Sequence, residues 1–334
     1  MTIDPGDHAR KRLVSERGSL YFQLLYNNKL RAPVVGPTVR HREPLGANDR
    51  MPPDILKRFD LSGRTAAITG GGGELCGAMA EALGAMGVRV AVLDIDLAKA
   101  ETRAAAVAAA GGDARAYRCD VLDPVGVRAT CEAVARELGS PDFLINGAGG
   151  NDPRASTSEE FHEPPAGVPA GGTSFFELDP AGFRQVFDLN FLGTFIVSQA
   201  FTRGMVERGR GAVVNMSSMS AFTPLTKIPA YAAAKASVSN FTRWLAVHFA
   251  HTGVRVNALA PGFFMTEQLK FLHIDRATGE LLPRARKVIA HTPMGRYGQP
   301  DDLIGALVWL LSEASAFVTG VVVPVDGGFS SYSI

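Results

Sequence analysis

Cysteine is scarce in this chain of 334 residues: Cys76, Cys119 and Cys131 are the only three, and they are scattered. No CxxC pair or Cys/His cluster is present, which leaves out the usual zinc and dithiol motifs; the three thiols suit small buried groups in a reducing compartment. A charge bias is missing too. Thirty-four Lys and Arg against thirty-three Asp and Glu leave a formal net charge of +1, which offers no electrostatic footprint for nucleic acid or an anionic membrane. No apolar run is long enough to span a bilayer, and the N-terminal residues lack the apolar block of a secretory signal. The expectation is a cytoplasmic protein with no metal, no nucleic-acid partner and no membrane partner.

The length fits one large α/β domain with additions. Residues 1–50 differ from the rest: they carry Arg10, Lys11, Arg12, Arg40 and Arg42 and several prolines, and only LYFQLL at 20–25 is apolar enough to dock. Asp4, Asp7 and Glu16 are unusual for a transit peptide, so a mobile N-terminal extension is expected, with Met51 opening the domain at 51–334.

Beyond Asp60, short β-rich runs alternate with stretches of helical length. TAAIT (65–69), VRVAVL (88–93), ARAYRC (114–119), FLIN (143–146), AVVNM (212–216), VRVNALA (254–260) and VVVPV (321–325) read as strands. This alternation predicts a doubly wound parallel sheet with helices on both faces. Two segments break the rhythm: a loop insertion at 150–172 and a substrate lid at 263–292. Both follow the carboxyl ends of strands, where open α/β sheets bind ligands.

The first strand runs into TGGGGELCG at 69–77. Gly70, Gly72 and Gly73 permit a tight turn and close backbone approach to a diphosphate before a helix begins near Glu74. Glu74 puts a carboxylate where phosphates are expected; facing solvent as a bystander, it would still favour the helix dipole. Asp94 ends the second strand, where it can accept from an adenosine ribose and repel a 2′-phosphate, which points to NAD over NADP. Its alternative role is an N-cap, which Asp96 could fill equally well. In CDVLD, Asp120, beside Val121, is placed to meet an adenine edge. In NGAGG, Asn146, Gly147 and Ala148 allow a flat adenosine group against the backbone.

Tyr231 and Lys235 in YAAAK are four apart, on one face of a helix. Ser218 ends the strand AVVNMSS thirteen residues earlier, and Asn190 lies in the preceding long helix, in DLNFLGTF. An ammonium beside a phenol favours the phenolate and lowers its pKa, while a serine hydroxyl can orient a substrate oxygen. Together these groups make an acid/base device for an alcohol or a carbonyl.

With these motifs in this order, the chain from about Asp60 to Ile334 resembles the short-chain dehydrogenase/reductase family, with its Rossmann-type sheet. The resemblance also takes in PGFFMT at 261–266 and VDGG at 325–328. It implies that Tyr231 is the acid/base, Lys235 lowers its pKa and holds the nicotinamide ribose, Ser218 orients the reacting oxygen, and Asn190 supports a proton-relaying water. It also implies that Pro261, Gly262 and Thr266 lie near the cofactor and that the protein is a homotetramer. A usual family loop, TGxxxGxG, has glycines where Glu74 and Cys76 stand here. TGGGG, LINGAGGNDP, SSMSAFTPLTKIPAY and AHTPMGRYGQPDDL look most like the D-mannonate oxidoreductase (fructuronate reductase) group. That likeness implies NAD-dependent interconversion of D-mannonate and D-fructuronate. The alternatives are a dehydrogenase of another polyol or sugar acid, and a non-catalytic nucleotide-binding scaffold. A sugar acid needs a cation near the reacting carbon, and Lys227 is the first candidate, ahead of Arg154 and Arg296.

Overall fold

Strand residues of this chain alternate between two buried faces, and that alternation builds the sheet. Ala66 and Ile68 of β1 (Thr65–Thr69) join one apolar cluster while Ala67 joins the other; Val90 and Val92 of β2 (Arg89–Asp94) oppose Ala91 and Leu93 in the same way. Both faces being apolar, both must be covered, since each such side chain contributes roughly 1.5–3 kcal/mol when buried. The structure is a computed structural model that describes residues 54–162, 172–276 and 278–333. The expected extension at 1–50, the Met51 start and residues 163–171 of the expected insertion lie outside the described residues.

β3 (Asp113–Arg118), β4 (Phe143–Asn146), β5 (Gly211–Met216), β6 (Val254–Pro261) and β7 (Val322–Val325) complete a seven-stranded sheet. All pairings are parallel, in the order β3-β2-β1-β4-β5-β6-β7. All seven predicted strands are present, with boundaries shifted by a residue or so. The strand order reverses between β1 and β4, whose register pairs Thr69 with Asn146. That crevice is where doubly wound sheets take their ligands.

Helices α1 (Glu74–Ala85) and α2 (Leu97–Ala109) cover one face through Met79, Leu83, Ala100 and Val107. α3 (Pro124–Glu137) packs Val127 and Val134 on the other. α2 starts at Asp96, whose carboxylate accepts from the backbone N–H of Ala98 and Lys99; Asp94 is therefore not spent on capping. The long helix expected around Asn190 is broken. α4 (Pro180–Phe187) gives way to a π turn at Asp188–Leu192 before α5 (Gly193–Arg208) resumes, an irregularity common at functional sites. α6 (Pro229–His248) carries the YAAAK motif on its first turns.

The expected lid holds two short helices, α7 (Glu267–His273) and α8 (Pro283–His291), linked by an antiparallel bridge between Ile274 and Leu281. A 3-10 turn at Pro300–Leu303 leads into α9 (Ile304–Leu311), whose Leu307, Leu310 and Leu311 are core residues, and β7 forms a sheet edge. Among the described residues no helix is long and apolar enough to cross a membrane, and no group of three or more potential metal ligands occurs.

Candidate active site

The turn after β1 is flat because side chains have no room in it. Gly70 has φ +64°, and a Cβ there would lie 3.0 Å from Ala148; one on Gly72 would lie 2.7 Å from the Lys99 side chain. Gly73 donates back to the Gly70 carbonyl at 3.0 Å, and Gly73 caps α1 without a side-chain bond. The start of α1 therefore has no side-chain cap, the arrangement in which helix amides are left to bind phosphates. Thr69 ties this turn to the β4 turn: its Oγ1 accepts from the amides of Gly147 (3.0 Å) and Ala148 (3.2 Å).

Cys76, one of the two departures from the usual loop, is buried and packs where a Gly147 side chain would stand: a Cβ on Gly147 would sit 2.2 Å from its Sγ. Burial pushes the thiol up to about 12, so it is inert. Gly77 lets Arg103 cross α1 closely, and Arg103 pairs with Glu81 at 2.6 Å. The extra volume at 76 is thus absorbed by a glycine elsewhere.

Asp94 stands half-buried at the end of β2. Oδ2 accepts from the Gly72 amide and Oδ1 from the Asp96 amide, both at 3.0 Å. A carboxylate has about four acceptor positions, so two remain for a ribose diol. Asp120 is half-buried beside it, its Oδ1 accepting from Leu122 N–H. The Val121 side chain instead enters the core against Gly193, leaving only its backbone for a ligand. The Asn146 side-chain amide is buried and donates to Ser198 (3.0 Å) and Asn215 (2.8 Å). Its side chain holds β4 to β5, so the part of Asn146 left to the crevice is its backbone.

Of the four residues expected to form an acid/base device, Asn190 and Lys235 meet at Gly149, Tyr231 lies beside Lys235, and Ser218 lies beside Tyr231. Lys235 is buried, its Nζ donating to the Met216 carbonyl at 2.8 Å and lying 5.6 Å from the Tyr231 ring centre. A Cβ on Gly149 would lie 2.6 Å from Asn190 Oδ1 and 3.1 Å from Lys235 Nζ. Only glycine lets both groups approach that loop. Asn190 is fixed by the π turn: its Nδ2 donates to the Gly150 (2.7 Å) and Val186 (2.8 Å) carbonyls, and its Oδ1 accepts from Gly150 N–H at 3.2 Å. Ser218 accepts from the Ser220 hydroxyl at 3.0 Å, and its own hydroxyl lies close enough to the Tyr231 phenol to favour the phenolate.

The electrostatics differ from the expectation. Burial raises the Tyr231 phenol, with the Ser218 bond pulling weakly the other way. Burial also brings Lys235 down to about 8. Its ammonium is directed to the Met216 carbonyl, and it is burial that sets the direction of the phenol's shift.

Pro261 ends β6 and Gly262 follows it, where Gly262 N–H donates to the Val325 carbonyl and a Cβ would strike Asp326 at 2.7 Å. Thr266 Oγ1 caps helix α7 by accepting from Leu269 N–H. Lys227 has φ +73°, rare for a side-chain-bearing residue. Its carbonyl accepts from Thr157 and its ammonium donates to the Ser158 carbonyl, stitching the insertion to the segment before Tyr231. Arg154 is taken up by Asp152, Asp179 and Gln185, and Arg296 by Asp302 and the Tyr297 carbonyl.

Glu74 corrects the reading of a solvent-facing bystander. Its two carboxylate oxygens accept from the backbone N–H of Glu267, at 2.8 and 3.0 Å. No local signal could give a partner 193 positions away. Thr69, Ser220 and Gly149 were also missed as site-builders; the glycine beside NGA was the one legible hint.

The family model described as enoyl-(acyl carrier protein) reductase matches residues 75–330. An uncharacterized oxidoreductase, UxuB, of Bacillus subtilis is 50% identical over 275 residues, covering 82% of this chain and 97% of that protein. A crystal structure from Haemophilus influenzae, given provisionally as a D-mannonate oxidoreductase and containing bound NAD, is 44% identical with a TM-score of 0.79, covering 84% of this chain and 99% of that one. The 2-dehydro-3-deoxy-D-gluconate 5-dehydrogenase of Formosa agariphila is 33% identical over 276 residues, covering 81% of this chain and 94% of that protein.

Proposed function

The chain belongs to the short-chain dehydrogenase/reductase family of oxidoreductases, and from that premise we propose that it is an NAD-dependent dehydrogenase of a sugar acid, with D-mannonate and D-fructuronate as the substrate pair. The observation that carries this reading is the run of neighbours Asn190, Lys235, Tyr231 and Ser218, the first two meeting at Gly149 and the last two beside one another. A scaffold that only bound nucleotides would have no use for these four groups.

The residues present fit the cofactor. The side-chain-free turn at Gly70, Gly72 and Gly73 leaves the α1 amides open to a diphosphate, and Asp94 keeps acceptor capacity for a ribose. When bound, NAD supplies the hydride acceptor for oxidation and, as NADH, the donor for reduction. The protein orients and moves protons. Ser218 orients the reacting oxygen, and Tyr231 Oη gives that oxygen a proton in reduction or removes one in oxidation. Lys235 and Asn190, meeting at Gly149, carry the proton onward toward solvent. A homotetramer in the cytoplasm remains part of this proposal.

Asp94 should set the cofactor preference, since a 2′-phosphate would meet a carboxylate already fixed by two amides. Wild type should show kcat/KM for NAD at least about tenfold above that for NADP, and Asp94→Ala should narrow the gap. An NADP preference in wild type would remove this role.

Lys227 is proposed to bind the substrate carboxylate. Both arginine candidates are committed to carboxylates, whereas the Lys227 ammonium has one carbonyl partner and two further donors. Lys227→Met should raise KM for D-mannonate selectively, on the order of 10-fold for a lost charge-assisted bond. Its role as a stitch to Ser158 favours the second reading, a dehydrogenase of a neutral polyol. Equal use of mannitol and mannonate by wild type would select that reading.

A further inference from the structure

Of the two departures from the usual glycine loop, residue 74 is the charged one, and its side chain reaches a different wall of the crevice. Glu74 is the first residue of α1 and Glu267 the first of the lid helix α7. The carboxylate of one holds the amide of the other with both oxygens. It therefore lies at the positive ends of two helices. Lys270, paired with Glu267 at 2.5 Å, adds an ammonium whose field reaches Glu74. These three contributions offset a charge that would otherwise oppose an anion bound nearby.

The lid helix needs such a tie. It has seven residues, too few to hold together in water without tertiary contacts. Its far end is anchored just beyond the lid and within it: His273 bonds the Tyr297 hydroxyl at 2.7 Å, and the His273 carbonyl accepts from Leu282 N–H. Glu74 fastens the near end to the turn that forms the opposite side of the crevice.

We propose that Glu74 is a positioning residue that straps the lid helix to the glycine turn, so that cofactor enters and leaves only as the Glu74–Glu267 contact breaks. The proposal rests on the cofactor reading given above. It explains why an acid is tolerated at a position expected to face phosphates: the carboxylate is already bound to lid backbone and turned away from the turn's own amides.

Hydrogen exchange of the free protein and stopped-flow dissociation of NADH test the strap separately. Glu74→Ala should speed exchange across residues 267–270 by at least about fivefold, the scale of losing a charge-assisted hydrogen bond. NADH dissociation should accelerate by a similar factor, while the pH profile of kcat keeps its shape because Glu74 touches none of the four central groups. Glu74→Gln keeps one acceptor oxygen and should fall between, and it carries the test if the alanine variant does not fold. Unchanged exchange in these variants, or a loosened lid with unchanged NADH dissociation, would overturn the proposal. Failure of wild type to bind NADH would instead remove the cofactor reading, while the exchange result would still decide whether the strap exists.

Discussion

Replacing Tyr231 with Phe should lower turnover by at least about 100-fold, the usual scale for removing a general acid/base, while NADH binds nearly as well. The ring is packed against a small apolar cluster with Ala155, Val186, Ala230 and Ala234, and Phe keeps that packing. What is lost is the hydroxyl between Ser218 and the substrate oxygen. Burial holds the phenol protonated at neutral pH in the free chain, so oxidation, which needs the deprotonated form, should rise with pH in wild type. That limb should vanish in the variant. Steady-state kinetics in both directions check it, and turnover near the wild-type level would reject the acid/base assignment.

Lys235→Met should separate activity from stability. Turnover should fall by about 100-fold or more, since the group that meets Asn190 at Gly149 and leads protons away is gone. The cofactor-free protein should nevertheless become more stable at neutral pH. Lys235 is 4% exposed and its pKa is brought down from 10.5 to about 8, so the unfolded chain binds the proton more tightly than the folded one. Wild type therefore carries a penalty that is full below about pH 8 and fades as pH rises toward 10.5, the unfolded value. Methionine removes the penalty but forfeits the bond to the Met216 carbonyl, worth about 1 kcal/mol. The net gain should be about 2 kcal/mol at pH 7 and disappear by about pH 10. Denaturant melts at the two pH values test it; a variant less stable than wild type at pH 7 would show that the lysine is no burden to the fold.

The sheet was legible because its signal is local and repeated. Strands such as TAAIT and AVVNM are buried on both faces, so each reads as a short continuous apolar run bounded by turns. The nearness of Tyr231, Lys235 and Ser218 was legible for a similar reason: Tyr231 and Lys235 share one helix face, and Ser218 follows a strand end whose position the topology dictates. Side-chain direction was harder to read. Asn146 and Val121 occupy expected positions, yet both side chains go to the core, because a residue at a strand's end can face either the crevice or the sheet's underside. The π turn at Asn190 was hidden because it depends on the Gly150 loop, forty positions earlier. The raised phenol of Tyr231 reflects desolvation, which no spacing of residues reveals. Glu74 is the clearest case: its helix position was readable, but its partner Glu267 belongs to a segment whose placement is tertiary.

The central claim is hydride transfer between NAD and a sugar acid at the Ser218–Tyr231–Lys235 site, and absorbance at the NADH band tests it most directly. Purified full-length protein should be mixed with NAD and, separately, D-mannonate, related sugar acids and the matching neutral polyols, with Tyr231→Phe in parallel. NADH should accumulate with D-mannonate, far more slowly with mannitol, and at no more than about one hundredth of the wild-type rate in the variant. No NADH from any sugar acid, or equal formation in wild type and Tyr231→Phe, would contradict it.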